Sequence, residues 1–372
     1  MRTAILLGGL LLGACVADVN GEPGSDSDGK ADGTGTSHKL PGYDERMLVG
    51  SSEGKLAIVH VGERFSKQTV TLSSTLAPNV MHAREGKFYA LYDSGKLAVI
   101  DAITAKVERT FDVGTAPQDI EWGAAGELFV TMGSTVATLD ATSGTRKSSL
   151  DLATLATTGG KVQTRRMLRI GDRLFVQVSR KNASSRVENG ALAVIKAGAI
   201  EKTFELDCIE PNFDLVHDTL RGHLYVTCAG VRPSNTGGLV RIDTKALAIY
   251  DRKPASAGWQ GIVQFADPFE TLFMLYHTST PTSSSHLFAF GVDDAGKIID
   301  TNEGTIVDAF DGIDALSMNA DGTLVAMANH CAAGFCIGGA GINFIDTVTK
   351  KKQQKLLKDQ LGFEPVIIQF AR

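Results

Sequence analysis

Residues 78–113 read PNVMHAREGKFYALYDSGKLAVIDAITAKVERTFDV, and the fold turns on how that stretch is understood. Four short runs suited to β-strands, 79–84, 87–92, 96–101 and 107–113, are separated by Glu85-Gly86, Asp93-Ser94-Gly95 and Ile103-Thr104-Ala105, which is turn chemistry. A four-stranded meander of this size has two faces to cover and cannot bury both alone. It needs copies of itself as neighbours.

The chain supplies them. The second-strand pair Phe88-Tyr89 returns as Leu128-Phe129, Leu174-Phe175, Leu224-Tyr225, Leu272-Phe273 and Leu324-Val325. The spacing runs from about 40 to about 52 residues, as in propeller blades. The third strand tends to end in an apolar residue followed by aspartate: Ile100-Asp101, Leu139-Asp140, Ile242-Asp243, Val292-Asp293 and Ile345-Asp346, with Ile195-Lys196 the departure. An aspartate there can accept backbone hydrogen bonds in the turn to the fourth strand. Blades are expected at 78–113, 117–152, 163–207, 211–254, 259–303 and 313–357. Residues 47–51, 55–61 and 68–72 provide only strands two to four of a seventh, and 365–370, PVIIQF, offer the missing inner strand from the other end of the chain. The expected fold is therefore an all-β, seven-bladed β-propeller of four-stranded antiparallel blades over residues 44–372, closed by its C-terminal strand joining the N-terminal blade. Such closure removes the open edge.

The repeat wording resembles bacterial YVTN-type β-propellers. Leu128-Phe129-Val130-Thr131 and Leu224-Tyr225-Val226-Thr227 match their second strand, Leu97-Ala98-Val99-Ile100-Asp101 their third, and Val113-Gly114-Thr115-Ala116-Pro117 their inter-blade link. The resemblance spans about residues 44–372 and implies a fold more than an activity. Relatives of that kind include surface-layer and periplasmic binding proteins, lactonases and cofactor-dependent dehydrogenases, so fold alone does not select among them.

The N-terminus is a targeting segment. Arg2 precedes the short apolar run 4–12, and Leu12-Gly13-Ala14-Cys15 resembles a bacterial lipobox. That resemblance implies cleavage after residue 14, lipid on Cys15, and an exported chain held to the cell envelope by the lipid alone. Val16 in place of aspartate points to the outer membrane. Residues 15–43, rich in Gly, Ser and Asp, have no apolar period and should form a flexible tether. Asp26, Asp28 and Asp32 lack the closing glutamate of an EF-hand loop, so they belong to that tether. The 372 residues carry a net charge of −5, which argues against a nucleic-acid partner. No apolar run after residue 14 is long enough for a membrane-spanning helix.

Function should sit where links lengthen. In a four-stranded blade, the link from strand two to strand three shares a rim with the link into the next blade. On that rim residues 179–190, 229–238, 277–285 and 329–341 are expected as long loops, and long loops on a rigid scaffold commonly bind. Trp259, Phe335, Arg232 and His330 are the candidate anchors there for an envelope protein or small ligand. Cysteines fit the same face. With Cys15 given to lipid, four remain, and pairing Cys208–Cys228 and Cys331–Cys336 is expected in an exported chain. A soft-metal site from His330, Cys331, Cys336 and Met327 is the rival use, but its spacing matches no recognised pattern.

The inner strands start at this rim and present polar residues to a central channel: Asn79, Asp119 with Gln118, Arg165 with Gln163, and Asn212 with Asp214. Gln260, Asp314 and Glu364 complete the set. Converging oxygen ligands could hold Ca2+, an arrangement similar in architecture to gluconolactonase-like propellers, or simply bind water. His82 and His217 lie within strands and are expected to be structural. No nucleophile elbow, phosphate loop or dinucleotide fingerprint is present. Asn182-Ala183-Ser184 is a formal glycosylation sequon, and Lys350-Lys351-Lys352 reads as a guarded sheet edge. The expected function is a cell-envelope binding or interaction module. The alternative is a metal-assisted lactonase or hydrolase acting at the channel mouth.

Overall fold

The computed structural model describes residues 45–371 apart from 62–64, 72–76, 125, 212–213, 231–235, 255–258, 267–270, 279–283, 300–306, 310–312 and 330–338. The side chains of 254–266, 272, 274–286, 307–309 and 313 also lie outside the description. The described strands form antiparallel sheets that follow one another along the chain. Six sheets each come from one contiguous stretch, and one more is composite. The unit that opened the sequence analysis is the second of them: Val80–Arg84, Lys87–Leu91, Lys96–Asp101 and Val107–Asp112. Its strands lie within a residue of the expected bounds.

The composite sheet comes first. Arg46–Ser51, Leu56–His60 and Ser66–Val70 supply three strands, and Pro365–Phe370 pairs antiparallel along the inner side of Arg46–Ser51, with Met47 opposite Phe370 and Val49 opposite Ile368. The predicted junction of the two chain ends is therefore formed.

Burial explains why the units stack. Consecutive residues of Arg46–Ser51 feed different cores: Met47 and Val49 pack with Leu324, Ala326 and Phe344 of the seventh sheet, whereas Leu48 packs with Met81, Phe88 and Ala98 of the second. Period-two side chains thus bury both faces of a sheet between two neighbours. This is why middle strands such as His223–Cys228 are buried throughout, while the outer strand Val107–Asp112 alternates. Similar cores separate each successive pair of sheets, from second against third through sixth against seventh.

The turn aspartates do what their repetition suggested. Asp101 Oδ1 accepts from the backbone N–H of Ile103 and Thr104, Asp140 Oδ1 from Thr142 and Ser143, Asp243 Oδ1 from Lys245 and Ala246, and Asp346 Oδ1 from Thr349. These donors hold the carboxyls of Asp101, Asp140 and Asp243 below their ordinary range, with backbone donation the leading cause in each.

Two expectations need correction. The sixth sheet does not end at residue 303. Its outer position is split, with Ile298–Ile299 pairing at Gly291–Val292 and Val307–Ala309 pairing at Ser285–Leu287 of the same strand. The stretch 179–190 is mostly not a loop: Arg173–Lys181 and Val187–Lys196 run on as paired strands, joined by a tight turn in which Asn182 Oδ1 accepts from Ser184 and Arg186 N–H. The added residues there lengthen the sheet, because strand pairing satisfies backbone groups that a long loop would leave to water.

One half-buried acid sits beside the composite sheet. Glu45 accepts through Oε1 from Asn319 Nδ2 at 3.1 Å, its other oxygen has no partner among the described residues, and burial first, then Asp321, pushes its pKa up to about 7 from 4.5. The folded protein therefore holds a proton that the unfolded chain has released between those values, so stability falls as pH rises from about 4.5 to about 7. Glu45→Gln is expected to flatten that decline and to be more stable than the parent at pH 8, read from urea midpoints across the range. Parallel midpoint curves for the two proteins would refute it.

Candidate functional site at the channel mouth

The inner strands are not regular where they begin. Against its middle-strand partner, Pro117–Trp122 bulges between Pro117 and Asp119, Lys161–Ile170 between Thr164 and Met167, Trp259–Ala266 between Trp259 and Val263, and Ile313–Met318 between Ile313 and Ala315. In the composite sheet, two residues of Pro365–Phe370 span the step from Ser51 to Gly50 that would ordinarily take one. The recurring position is next to the second strand's end, on the rim already assigned to the long links. A bulge inserts a residue and re-aims side chains, and the bulged residues include Gln118, Arg165, Gln260 and Asp314 from the polar set.

Around Arg165 the third and fourth sheets meet the link that leads into the fifth. Its Nη1 donates to Gln118 Oε1 at 3.0 Å and its Nε to Ser179 Oγ at 3.1 Å, while Nη2 lies 3.6 Å from Glu210 Oε2. Thr131 Oγ1 fixes the local backbone by donating to Arg165 O at 2.8 Å. Burial lowers the guanidinium's pKa from its usual height, though Glu210 opposes that shift. The arrangement is a tethered cation beside an amide and a hydroxyl, suited to a carboxylate flanked by hydroxyl groups.

Deeper along the inner strands lies a pair that sequence reasoning passed over. His82 Nε2 is 2.7 Å from Asp119 Oδ1, and Asp119 Oδ2 accepts the Met167 N–H at 2.8 Å, a backbone donor freed by the bulge. Arg166 Nη1 stands 3.8 Å from Asp119 Oδ1. The Asp119 side chain is 2% exposed and that of His82 is 27% exposed. Since a carboxylate only accepts, the shared proton belongs to His82 Nε2. His82 makes no second hydrogen bond among the described residues, and in the neutral ring with its proton on Nε2 the lone pair is on Nδ1. A histidine oriented by a buried carboxylate, with its other nitrogen available, is the geometry of a general base. The ring rests edge-on against Trp122, centroids 5.8 Å apart. Beside them Glu121 has its pKa raised by burial, against the pull of nearby His82.

The other sequence candidates scatter. Asn79 Nδ2 donates to Asp93 Oδ1 and, at 3.4 Å, to Pro117 O, the carbonyl to which Gln118 Nε2 also donates. Asp314 is exposed and Glu364 half-buried. Gln260 and Trp259 open an inner strand, with Trp259 opposite Tyr276, but their side chains are outside the description. Asn212, Arg232, His330, Phe335, Cys331, Cys336 and Cys15 lie outside the described residues altogether. Met327 is fully buried between the sixth and seventh sheets. For Ca2+, both Asp119 oxygens are already occupied by donors and a guanidinium, and among the described residues no three His, Cys, Asp or Glu side chains group as metal ligands. The described part of the polar set does not fit a cation.

Cys208 and Cys228 are bonded, with Cα atoms 5.9 Å apart. Cys208 sits in the outer strand Ala199–Ile209 of the fourth sheet rather than in the link after it, so the bond joins two neighbouring sheets. Closing a loop of that length is worth about 3 kcal/mol, and it anchors the rim two residues before Glu210.

No family model and no curated protein matches this sequence. Solved structures match its fold. A candidate 6-phosphogluconolactonase from Bacteroides uniformis aligns over 88% of this chain and 100% of its own, with TM-score 0.61 and 13% identity. A Lactobacillus plantarum protein aligns over 88% and 99%, with TM-score 0.58 and 13% identity. A second candidate 6-phosphogluconolactonase, from Bacteroides fragilis, aligns over 88% and 98%, with TM-score 0.56 and 12% identity. At such identities the likeness is one of architecture: an all-β propeller of four-stranded antiparallel blades.

Proposed function

We propose that the chain is an exported YVTN-type binding module of the bacterial cell envelope, tethered by lipid on Cys15, whose seven sheets act as the blades of one ring. Its ligand is a small acid bearing hydroxyl groups, a sugar acid in class, taken at the mouth where the inner strands begin. The observation that supports this most is the Arg165 guanidinium, raised on a bulge between Gln118 and Ser179. An envelope protein would meet the same rim through the lengthened links. Calorimetric titration with gluconate tests the ligand reading. Arg165→Ala is expected to weaken binding about tenfold or more, the worth of one charged hydrogen bond, and equal affinity for both proteins counts against it. Cys15→Ser should move the protein from the membrane to the soluble fraction, which tests the tether separately.

A second reading, hydrolysis of a sugar lactone, draws on the His82–Asp119 pair and on the names of the two Bacteroides neighbours. His82 Nδ1 takes a proton from water and the water oxygen attacks the lactone carbonyl. The acyl–oxygen bond then opens, and the departing ring oxygen receives the proton. No metal enters this scheme. Lactone opening followed above the buffer background decides it, with His82→Gln expected to fall to background.

A further inference from the structure

Away from the channel, a cavity of about 240 Å³ opens between the fifth and sixth sheets. Its floor is the Arg241 guanidinium, from a side chain 2% exposed. Arg241 Nε and Nη2 donate to the two oxygens of Asp251, each at 3.1 Å, and Nη1 donates to Ala295 O at 2.6 Å. The group lies 3.9 Å over the Tyr250 ring, so it is held flat. A guanidinium carries five N–H bonds, and three are used among the described residues, which leaves two at atoms lining the cavity. Tyr225 adds a second clamp by donating through its hydroxyl to Gly296 O at 2.9 Å.

The charge of the lining is one-sided. Lys253, Lys297 and Arg252 join Arg241, while Asp251 is the one carboxylate. Arg252 is balanced outside the cavity by Asp207 at 3.1 Å. Lys297 forms no ion pair among the described residues. Leu239, Ile298 and the Tyr225 ring furnish apolar wall. A fixed cation with spare donors, further cations in the lining and an apolar wall together select a small organic anion.

We propose that this cleft is a second binding site, for a small carboxylate with an apolar or aromatic body. Benzoate is the probe, read by saturation-transfer NMR with the full chain. Benzoate should bind while neutral benzyl alcohol binds about tenfold more weakly or worse, the cost of losing a charged hydrogen bond. Lys253→Met with Lys297→Met should weaken benzoate by a similar factor without altering the fold. Ile298→Trp, which fills the cavity, should abolish binding. Arg165→Ala must leave benzoate binding unchanged, which separates this site from the channel mouth. The proposal is overturned by equal binding of acid and alcohol, by indifference to the lysine or tryptophan changes, by loss in Arg165→Ala, or by no benzoate signal up to about 20 mM, where even weak anion sites fill.

Discussion

Removing residues 365–372 is expected to abolish the cooperative unfolding transition of this protein. The deleted strand is the inner partner of Arg46–Ser51, so five paired positions of the composite sheet lose their ladder. Phe370 and Ile368 are buried in the core shared with the seventh sheet, and the Phe370 N–H donates to Ser317 Oγ of that neighbour at 3.0 Å. Truncation would therefore expose an inner sheet edge and open the junction of both chain ends together. The single changes measure the same contact in smaller steps. Phe370→Ala should cost about 3–5 kcal/mol and Ile368→Ala about 2–5 kcal/mol, out of a typical net stability of about 5–15 kcal/mol. Urea denaturation followed by fluorescence is the measurement. Midpoints within error of the parent for both substitutions would mean that the terminal strand does not hold the two ends together.

That contact was legible before any coordinates because it is a matter of arithmetic. Three strands without a fourth at one end, and one strand without a sheet at the other, have a single economical solution. The turn aspartates were legible for a related reason, since each acts through donors within four residues of itself. What could not be read depends on side chains meeting across sheets. His82 reads as structural in the sequence because nothing in MHAREG signals that Asp119, on the next sheet, will lie beside it. A bulge is also silent in sequence: Gln163-Thr164-Arg165-Arg166 is four polar residues in a row with nothing to mark an insertion, yet the irregular register aims Arg165 at Gln118 and frees the Met167 N–H. The long-link rule failed at 179–190 for a physical reason too. Val178 and Ala191 flank a segment rich enough in paired partners to continue as sheet, so length alone did not mean loop.

The sharpest separation of structure from function is expected at Asp119. Asp119→Ala leaves the Met167 N–H and His82 Nε2 without their buried acceptor and Arg166 without its nearest carboxylate. The loss should be about 3 kcal/mol, since orphaned buried donors and broken buried ion pairs each cost on that scale. Asp119→Asn keeps the volume and can keep both contacts, but only in one way. Its oxygen must accept from the Met167 N–H, so its amide must donate toward His82 Nε2. That forces the imidazole proton onto Nδ1 and takes away the lone pair there. The asparagine variant should therefore stay within about 1.5 kcal/mol of the parent while any His82-dependent hydrolysis falls as far as it does in His82→Gln. Nitrogen NMR of the His82 ring checks the cause directly, with the proton on Nε2 in the parent and on Nδ1 in the variant. A parent ring already protonated at Nδ1 would break the argument at its first step. An alanine variant as stable as the parent would break it at the second, because the carboxylate would then be joining nothing that the fold requires.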